Sequence, residues 1–235
     1  MGNKNPKISF SNRAKHWLKN IIFPLTIRLG LPSIKAYLFL AEQIAGWMTA
    51  EELMKKAEFS YQLPDDAVVF EIGAFLGCST VMLAGARKLK GSGMVHVIDP
   101  FDASGDDFSV PVYKAIEEQL NVSLLSQFQS NIRNARLEKY VTIHQGTSET
   151  IVKNWHEPID MLILDGDQSP EGARTAFDDW VSFLKPGGIL IVHNSADRVY
   201  EKDHDGHRRV VVESVRPPQF YNVICVRMTT FARKN

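Results

Sequence analysis

With 27 basic and 27 acidic side chains in 235 residues, the chain carries no net charge at neutral pH. That excludes a global field favouring nucleic acid or an anionic membrane. A hydrophobic share of 44% against 23% charged is ordinary for a globular domain and supplies a full core. The two cysteines, Cys78 and Cys225, are too few for a disulfide framework and fit no metal-knuckle spacing, so both read as reduced thiols.

Residues 1–16 are polar and basic and are expected to be loosely ordered. Residues 17–60 read as two or three short helices. The apolar-rich stretch 17–47 is interrupted by Lys19, Pro24, Arg28, Pro32 and Lys35, too broken for a stable membrane span. The basic N-terminus is followed by no uninterrupted apolar run with a small-residue cleavage site, so a cytoplasmic protein is expected. Ile34, Tyr37, Leu38 and Ala41 recur at helical spacing. Thr49 followed by Glu51 and Glu52 reads as a helix start, a hydroxyl cap with carboxylates in the first turn. Pro64-Asp65-Asp66 is a turn that ends this segment. Residues 1–64 are therefore expected as a helical extension, a lid or a homodimer element, ahead of a domain at 65–235.

From residue 67 strands and helices alternate. Strands are expected at 68–73, 94–98, 141–145, 159–164 and 189–193, with two closing strands at 221–228 and 230–233. Helices are expected at 79–90, 112–137 with a break near Asn121, 149–155, 171–184 and 208–215. This pattern argues for an α/β fold: an open, doubly wound sheet with helices on both faces. In such a sheet ligands bind beyond the carboxyl ends of the strands. Polar residues stand at every one of those ends: Glu71, Asp99, Thr147 with Ser148, Asp165, and His193 with Asn194.

The stretch VVFEIGAFLGCST at 68–80 is a buried strand, a glycine turn and a helix start with Ser79 and Thr80 in its first turn. Such a turn collects backbone N–H groups and a positive dipole end. Gly73-Ala74-Phe75-Leu76-Gly77 lacks the third glycine of the dinucleotide fingerprint and is preceded by Glu71. A phosphate would be unwelcome there, which disfavours a nicotinamide dinucleotide. Asp99 lies 26 residues after Gly73, where an acidic side chain can take ribose hydroxyls. Together these features suggest an adenosine-type cofactor without a pyrophosphate. The turn also admits a plainer reading, a tight strand–helix connection with a solvated Glu71.

Residues 68–80, 95–101, 146–149, 160–172 and 184–194 together resemble class I S-adenosylmethionine-dependent methyltransferases. The nearest branch includes catechol O-methyltransferase and the macrocin-type sugar O-methyltransferases, and the likeness covers about residues 47–235. Gly46-Trp47-Met48-Thr49 resembles a lead-in found in that branch. The resemblance implies a Rossmann-like seven-stranded, mostly parallel sheet with its last strand antiparallel. It implies that Glu71, Gly73 and Gly77, with Ala74, Phe75 and Ser79 of the same turn, line the methionine part of the cofactor. Asp99 would take the ribose, Phe101 would lie near the adenine, and Thr147 and Ser148 at its edge. Asp165 would face the methyl group or a metal ion.

The chain departs from the branch at two places. It reads Asp165-Gly166-Asp167-Gln168-Ser169 where a His or Lys often follows the Asp as general base, and His193-Asn194 where His-Asp is common. Gln168 cannot take a proton at neutral pH. Asp165 and Asn194 could still hold a weak Mg²⁺ site. Alternatively His193 is the base, or alignment of the acceptor supplies the rate. His193 also admits a structural reading, bonded to a nearby backbone carbonyl. The expected catalytic set is thus Asp165, His193 and Gln168. The acceptor would be a small molecule or sugar hydroxyl, and a binding protein of the same fold that has lost transfer is the alternative. The loop 197–209, with His204, His207, Arg208 and Arg209, reads as a solvated loop. The sharper alternative folds it over the acceptor, with Arg208 or Arg209 pairing with an anionic group.

Overall fold

The computed structural model describes residues 20–235. The loose segment expected at 1–16 lies outside them. Helical residues 20–28 (α1) lead into α2 (Ile34–Ala41) and α3 (Ala50–Gln62). Then β1 (Val68–Ile72), α4 (Cys78–Lys90), β2 (Met94–Asp99), α5 (Val110–Gln119), α6 (Leu124–Asn134) and β3 (Val141–Gln145) follow. The second half runs α7 (Ser148–Ile151), β4 (Ile159–Leu164), α8 (Pro170–Trp180), β5 (Leu184–Val192), α9 (Gly206–Ser214), β6 (Phe220–Val226) and β7 (Thr229–Lys234). The seven strands form one sheet in the order β3-β2-β1-β4-β5-β7-β6. Neighbouring strands run parallel from β3 to β5, and β7 is antiparallel to both β5 and β6.

Period-two alternation divides the core between two faces. Val69, Val97, Met161, Ile163 and Ile191 pack on one side with residues of α2, α3, α4 and α6. Phe70, Ile98, Leu162, Leu164 and Val192 pack on the other with α8 and α9. β4 is buried along its whole length because both faces are covered. Among the described residues, no helix is long and apolar enough to cross a membrane.

Local differences from the sequence reading have identifiable causes. The helix expected over 171–184 ends at Trp180 and passes through a single tighter turn, Val181–Phe183. Lys185-Pro186-Gly187-Gly188 then lies inside β5 rather than terminating a helix. Leu184 already pairs with Ile159, and the register shifts before Ile189 pairs with Met161. Pro186 has no N–H to donate, and Gly187 sits at φ 76°, so the strand bulges there. The expected break in 112–137 falls between α5, whose cap Leu120 is extended, and Ser123, whose hydroxyl caps α6.

The helices before residue 64 share their core with the sheet. Tyr37, Leu53 and Ala57 are buried in the same cluster as Val69 and Met82. A Cβ on Gly85 would meet the Tyr37 ring at 2.6 Å, so glycine permits α2 to lie against α4. Thr49 caps α3, and Glu52 returns the bond to complete a capping box. The guanidinium of Arg87, fully buried on α4, donates to the carbonyls of Ser60 (2.6 Å), Pro64 (2.5 Å) and Asp65 (3.0 Å). One side chain thus satisfies the end of α3 and the turn that follows it.

Two stability predictions follow from this packing. Arg87→Met strands several carbonyls and is expected to cost about 3 kcal/mol in urea unfolding; a loss under about 1 kcal/mol would contradict the tether described. The second concerns His96 and His144, whose rings meet at Nδ1···Nε2 3.0 Å against Phe70 and Trp155. Burial lowers both, His96 to about 4. The native state keeps them neutral while the unfolded chain binds protons below about pH 6.5. Stability is therefore present above that pH and lost as pH falls towards 4. Urea midpoints at pH 7 and pH 5 should differ less in His96→Phe than in the wild type.

Candidate active site

The strand ends meet around a cavity of about 600 Å³. Gly73, at the end of β1, sits at φ 89°, and a Cβ there would come within 2.2 Å of the Asp165 carbonyl oxygen. Only glycine lets the exits of β1 and β4 run this close. The turn then aims the Phe75 N–H at Asp99, at the end of β2, with N···Oδ2 2.7 Å. The Phe101 N–H meets the other carboxylate oxygen at 2.7 Å. Burial raises the Asp99 carboxyl above its ordinary value, and the backbone N–H groups oppose that rise.

Gly73, Ala74, Phe75, Ser79, Asp99, Thr147, Ser148, Asp165, Gln168, His193 and Asn194 all line this cavity. Three expected cofactor residues do not. Glu71 is fully buried, and its carboxylate accepts the hydroxyls of Ser79 and Thr80, the latter at 2.5 Å. It is neither solvated nor presented to a ligand, and it ties β1 to the first turn of α4. Gly77 backs onto the Phe128 ring, which a Cβ would meet at 3.0 Å. Phe101 is buried against the same ring, 5.2 Å between centroids.

The roof of the cavity was not foreseen. Trp47, Phe75 and Tyr113 form an aromatic triangle with centroid separations of 5.1–5.4 Å. The loop 197–209 is not simply solvated. His204 and His207 are buried. His204 Nδ1 meets Asp106 Oδ1 at 2.9 Å, joining this loop to the one after β2. His207 Nδ1 meets the His193 carbonyl at 2.8 Å. Arg208 and Arg209 are engaged with Asp197 (2.8 Å) and Asp205 (2.9 Å), and Arg198 lines the cavity instead.

At the far end Asp165 meets a cation that the sequence reading missed. Lys56 of α3 is fully buried, with Nζ 3.9 Å from Asp165 Oδ2 and no hydrogen-bond partner among the described residues. Burial pushes the Asp165 carboxyl up to about 8, with Lys56 opposing and Glu71 and Glu52 reinforcing the rise. His193 is held well below its ordinary value by burial and then by Lys56, so its ring is neutral. Its Nδ1 lies 3.0 Å from Thr229 Oγ1 rather than against a backbone carbonyl, and its Nε2 is buried with no partner among the described residues. Glu52, read from the sequence only as a cap, lies 3.8 Å from the same Nδ1.

The expected metal pair is not assembled as a cation site. Asn194 Nδ2 donates to Gln168 Oε1 at 2.9 Å, so the two departures from the branch pattern bond each other. Asp167 accepts the Ser169 N–H ahead of α8. Asp165 already faces Lys56 Nζ. Among the described residues, no group of three or more His, Cys, Asp or Glu could hold a metal ion. This donor set does not fit Mg²⁺.

The family described as Methyltransferase domain matches residues 70–195, more than half of the chain. Solved structures share the fold at low identity. The O-methyltransferase from Bacillus cereus in complex with SAH is 17% identical, with a TM-score of 0.60 over 95% of this chain and 97% of that one. The SAH-bound methyltransferase PaMTH1 from Podospora anserina is 10% identical, with a TM-score of 0.58 over 100% of both chains. An rRNA methylase from Streptococcus thermophilus is 14% identical, with a TM-score of 0.53 over 80% of this chain and 99% of that one. A Rossmann-like sheet with one antiparallel strand, a glycine turn after β1 and the matched span agree: the chain belongs to the methyltransferase domain family.

Proposed function

We propose that this protein transfers a methyl group from S-adenosylmethionine to a hydroxyl of a small molecule or sugar. The observation that carries the reading is the cavity itself. It joins a carboxylate fitted for a ribose, Asp99, to a neutral imidazole, His193, beside Asp165. About 600 Å³ lies within the range of roughly 300–1,000 Å³ usual for small-molecule sites.

The residues fit such a cofactor. Each Asp99 oxygen takes one N–H and retains a lone pair for a ribose hydroxyl. Gly73 lets the backbone approach, and Thr147 and Ser148 offer polar groups at the adenine edge. S-adenosylmethionine, when bound, supplies a methyl group already activated on a sulfonium. What remains for the chain is to align the acceptor oxygen and accept its proton. Asp165, raised to about 8, keeps its proton at neutral pH and hydrogen-bonds the acceptor rather than deprotonating it. The Gln168–Asn194 pair orients the same wall. His193, neutral and with Nε2 unpartnered, is the base. The hydroxyl assignment is supported by the resemblance of the motifs to O-methyltransferases and by the Bacillus cereus neighbour.

Calorimetry with S-adenosylhomocysteine tests the cofactor half. The wild type should bind one equivalent, and Asp99→Ala should lose about 2 kcal/mol, roughly 30-fold. Absent or equal binding would sink the proposal. The transfer half is tested by label transfer to a panel of hydroxyl acceptors. His193→Ala should reduce the rate about 100-fold or more while leaving S-adenosylhomocysteine affinity within about two-fold. Transfer should persist in EDTA. Intact cofactor binding with no transfer to any acceptor would favour a binding protein instead.

A further inference from the structure

Behind His193 lies a hydrogen-bonded chain that reaches into the N-terminal helices. Glu52 of α3 and Thr229 of β7 are both fully buried. The Glu52 carboxylate receives four donors. The Met228 N–H and the Thr229 hydroxyl meet Oε1 at 3.0 and 2.8 Å. The Thr49 N–H and hydroxyl meet Oε2 at 2.8 and 2.7 Å. All four of these groups can donate, and an ionised carboxylate only accepts. The Thr229 proton is therefore committed to Glu52, and the Thr229 oxygen is left as an acceptor. His193 Nδ1, 3.0 Å away, must then carry its proton and donate it. That fixes the neutral ring with a bare lone pair on Nε2, the nitrogen without a partner.

We infer that Glu52 and Thr229 are positioning residues for methyl transfer: they hold His193 in the Nδ1–H tautomer, so that this ring, which lines the cavity, keeps its lone pair on the buried Nε2 to take the acceptor proton. This rests on His193 serving as the base in the reading above. As the acceptor oxygen gained the methyl group, with the sulfonium S–CH3 bond breaking to leave S-adenosylhomocysteine, its proton would pass to Nε2. The Nδ1 and Thr229 protons stay where they are. The imidazolium that forms is held within 3.8 Å of the Glu52 carboxylate, in the way a buried carboxylate supports a catalytic histidine. The other groups around this ring are Lys56 of α3, His204, and His207 of α9, each of which disfavours its protonation. A compensating anion is therefore needed, and Glu52 is placed to be it. A capping-box glutamate needs no such burial, since the first turn of a helix can cap in water. Full burial of a charged carboxylate is costly without a complete set of donors. The second role accounts for that arrangement.

Long-range ¹H–¹⁵N correlation of protein labelled at histidine reads the tautomer directly, with His193→Gln assigning the signal. In the wild type, with or without S-adenosylhomocysteine, His193 should show a protonated Nδ1 and a bare Nε2. Thr229→Ser, which restores the hydroxyl, should keep this pattern and keep transfer within about three-fold. Thr229→Val should shift the ring towards Nε2–H and lower transfer at least about ten-fold. S-adenosylhomocysteine binding reports that each variant is folded. An Nε2–H ring in the wild type, or an unchanged tautomer in a folded Thr229→Val, would overturn the inference. The wild-type spectrum decides the matter even if Thr229→Val does not fold. Failure of cofactor binding is a separate outcome: it removes the methyltransferase reading and leaves the tautomer measurement intact.

Discussion

Burial of ionisable groups at one edge of the sheet constrains much of this structure. Glu52, Lys56, Glu71 and His193 are almost wholly excluded from water, and Asp165 stands at their margin. Each such group is costly unless its bonds are supplied by the protein. The fold answers with elements from across the chain. Glu71 is met by the first turn of α4, Glu52 by Thr49 and the start of β7, and Asp165 by Lys56. Because these partners come from α3, α4 and β7, displacing any one of those elements leaves a buried polar group without its bond.

This explains why the helices before residue 64 are not a loose appendage to the sheet. Through Arg87 they are anchored on α4, and through Glu52 and Lys56 they reach beneath the cavity. Trp47, just ahead of α3, covers the same cavity from above. The extension thus supplies both roof and support of the site. The loops after β2 and β5 add the remaining wall, held together by Asp106 and His204.

Departures from a family pattern carry more meaning in pairs. Gln168 and Asn194, taken singly, look like the loss of a base and of a metal ligand. Bonded to each other, and with Lys56 facing Asp165, they leave neither position open for a base or a metal ion. The neutral ring of His193 lines the same cavity.

Local signals were legible without the structure. The alternation of strand and helix patterns from residue 67 located the sheet, Thr49 marked the start of α3, and Gly73 announced a turn that admits no side chain. Asp99 and the polar strand ends indicated where the cavity opens, since a parallel sheet brings its carboxyl edges together by construction. Boundaries failed where local preference was overruled, as in β5, where strand pairing carried the chain through Pro186 and Gly187. Glu71 was misjudged because sequence shows a charge but not the two hydroxyls that enclose it. The contacts of Glu52 beyond its own helix, and those of Lys56 and Thr229, carry no local signal. Glu52 and Thr229 are 177 residues apart, and no spacing rule operates at that distance. By itself the sequence determined the sheet, the glycine turn and the kind of ligand edge it makes, because these follow from neighbouring residues. Only the tertiary structure decided which buried groups face one another and that Thr229 and Glu52 stand behind His193, because that depends on where distant elements meet.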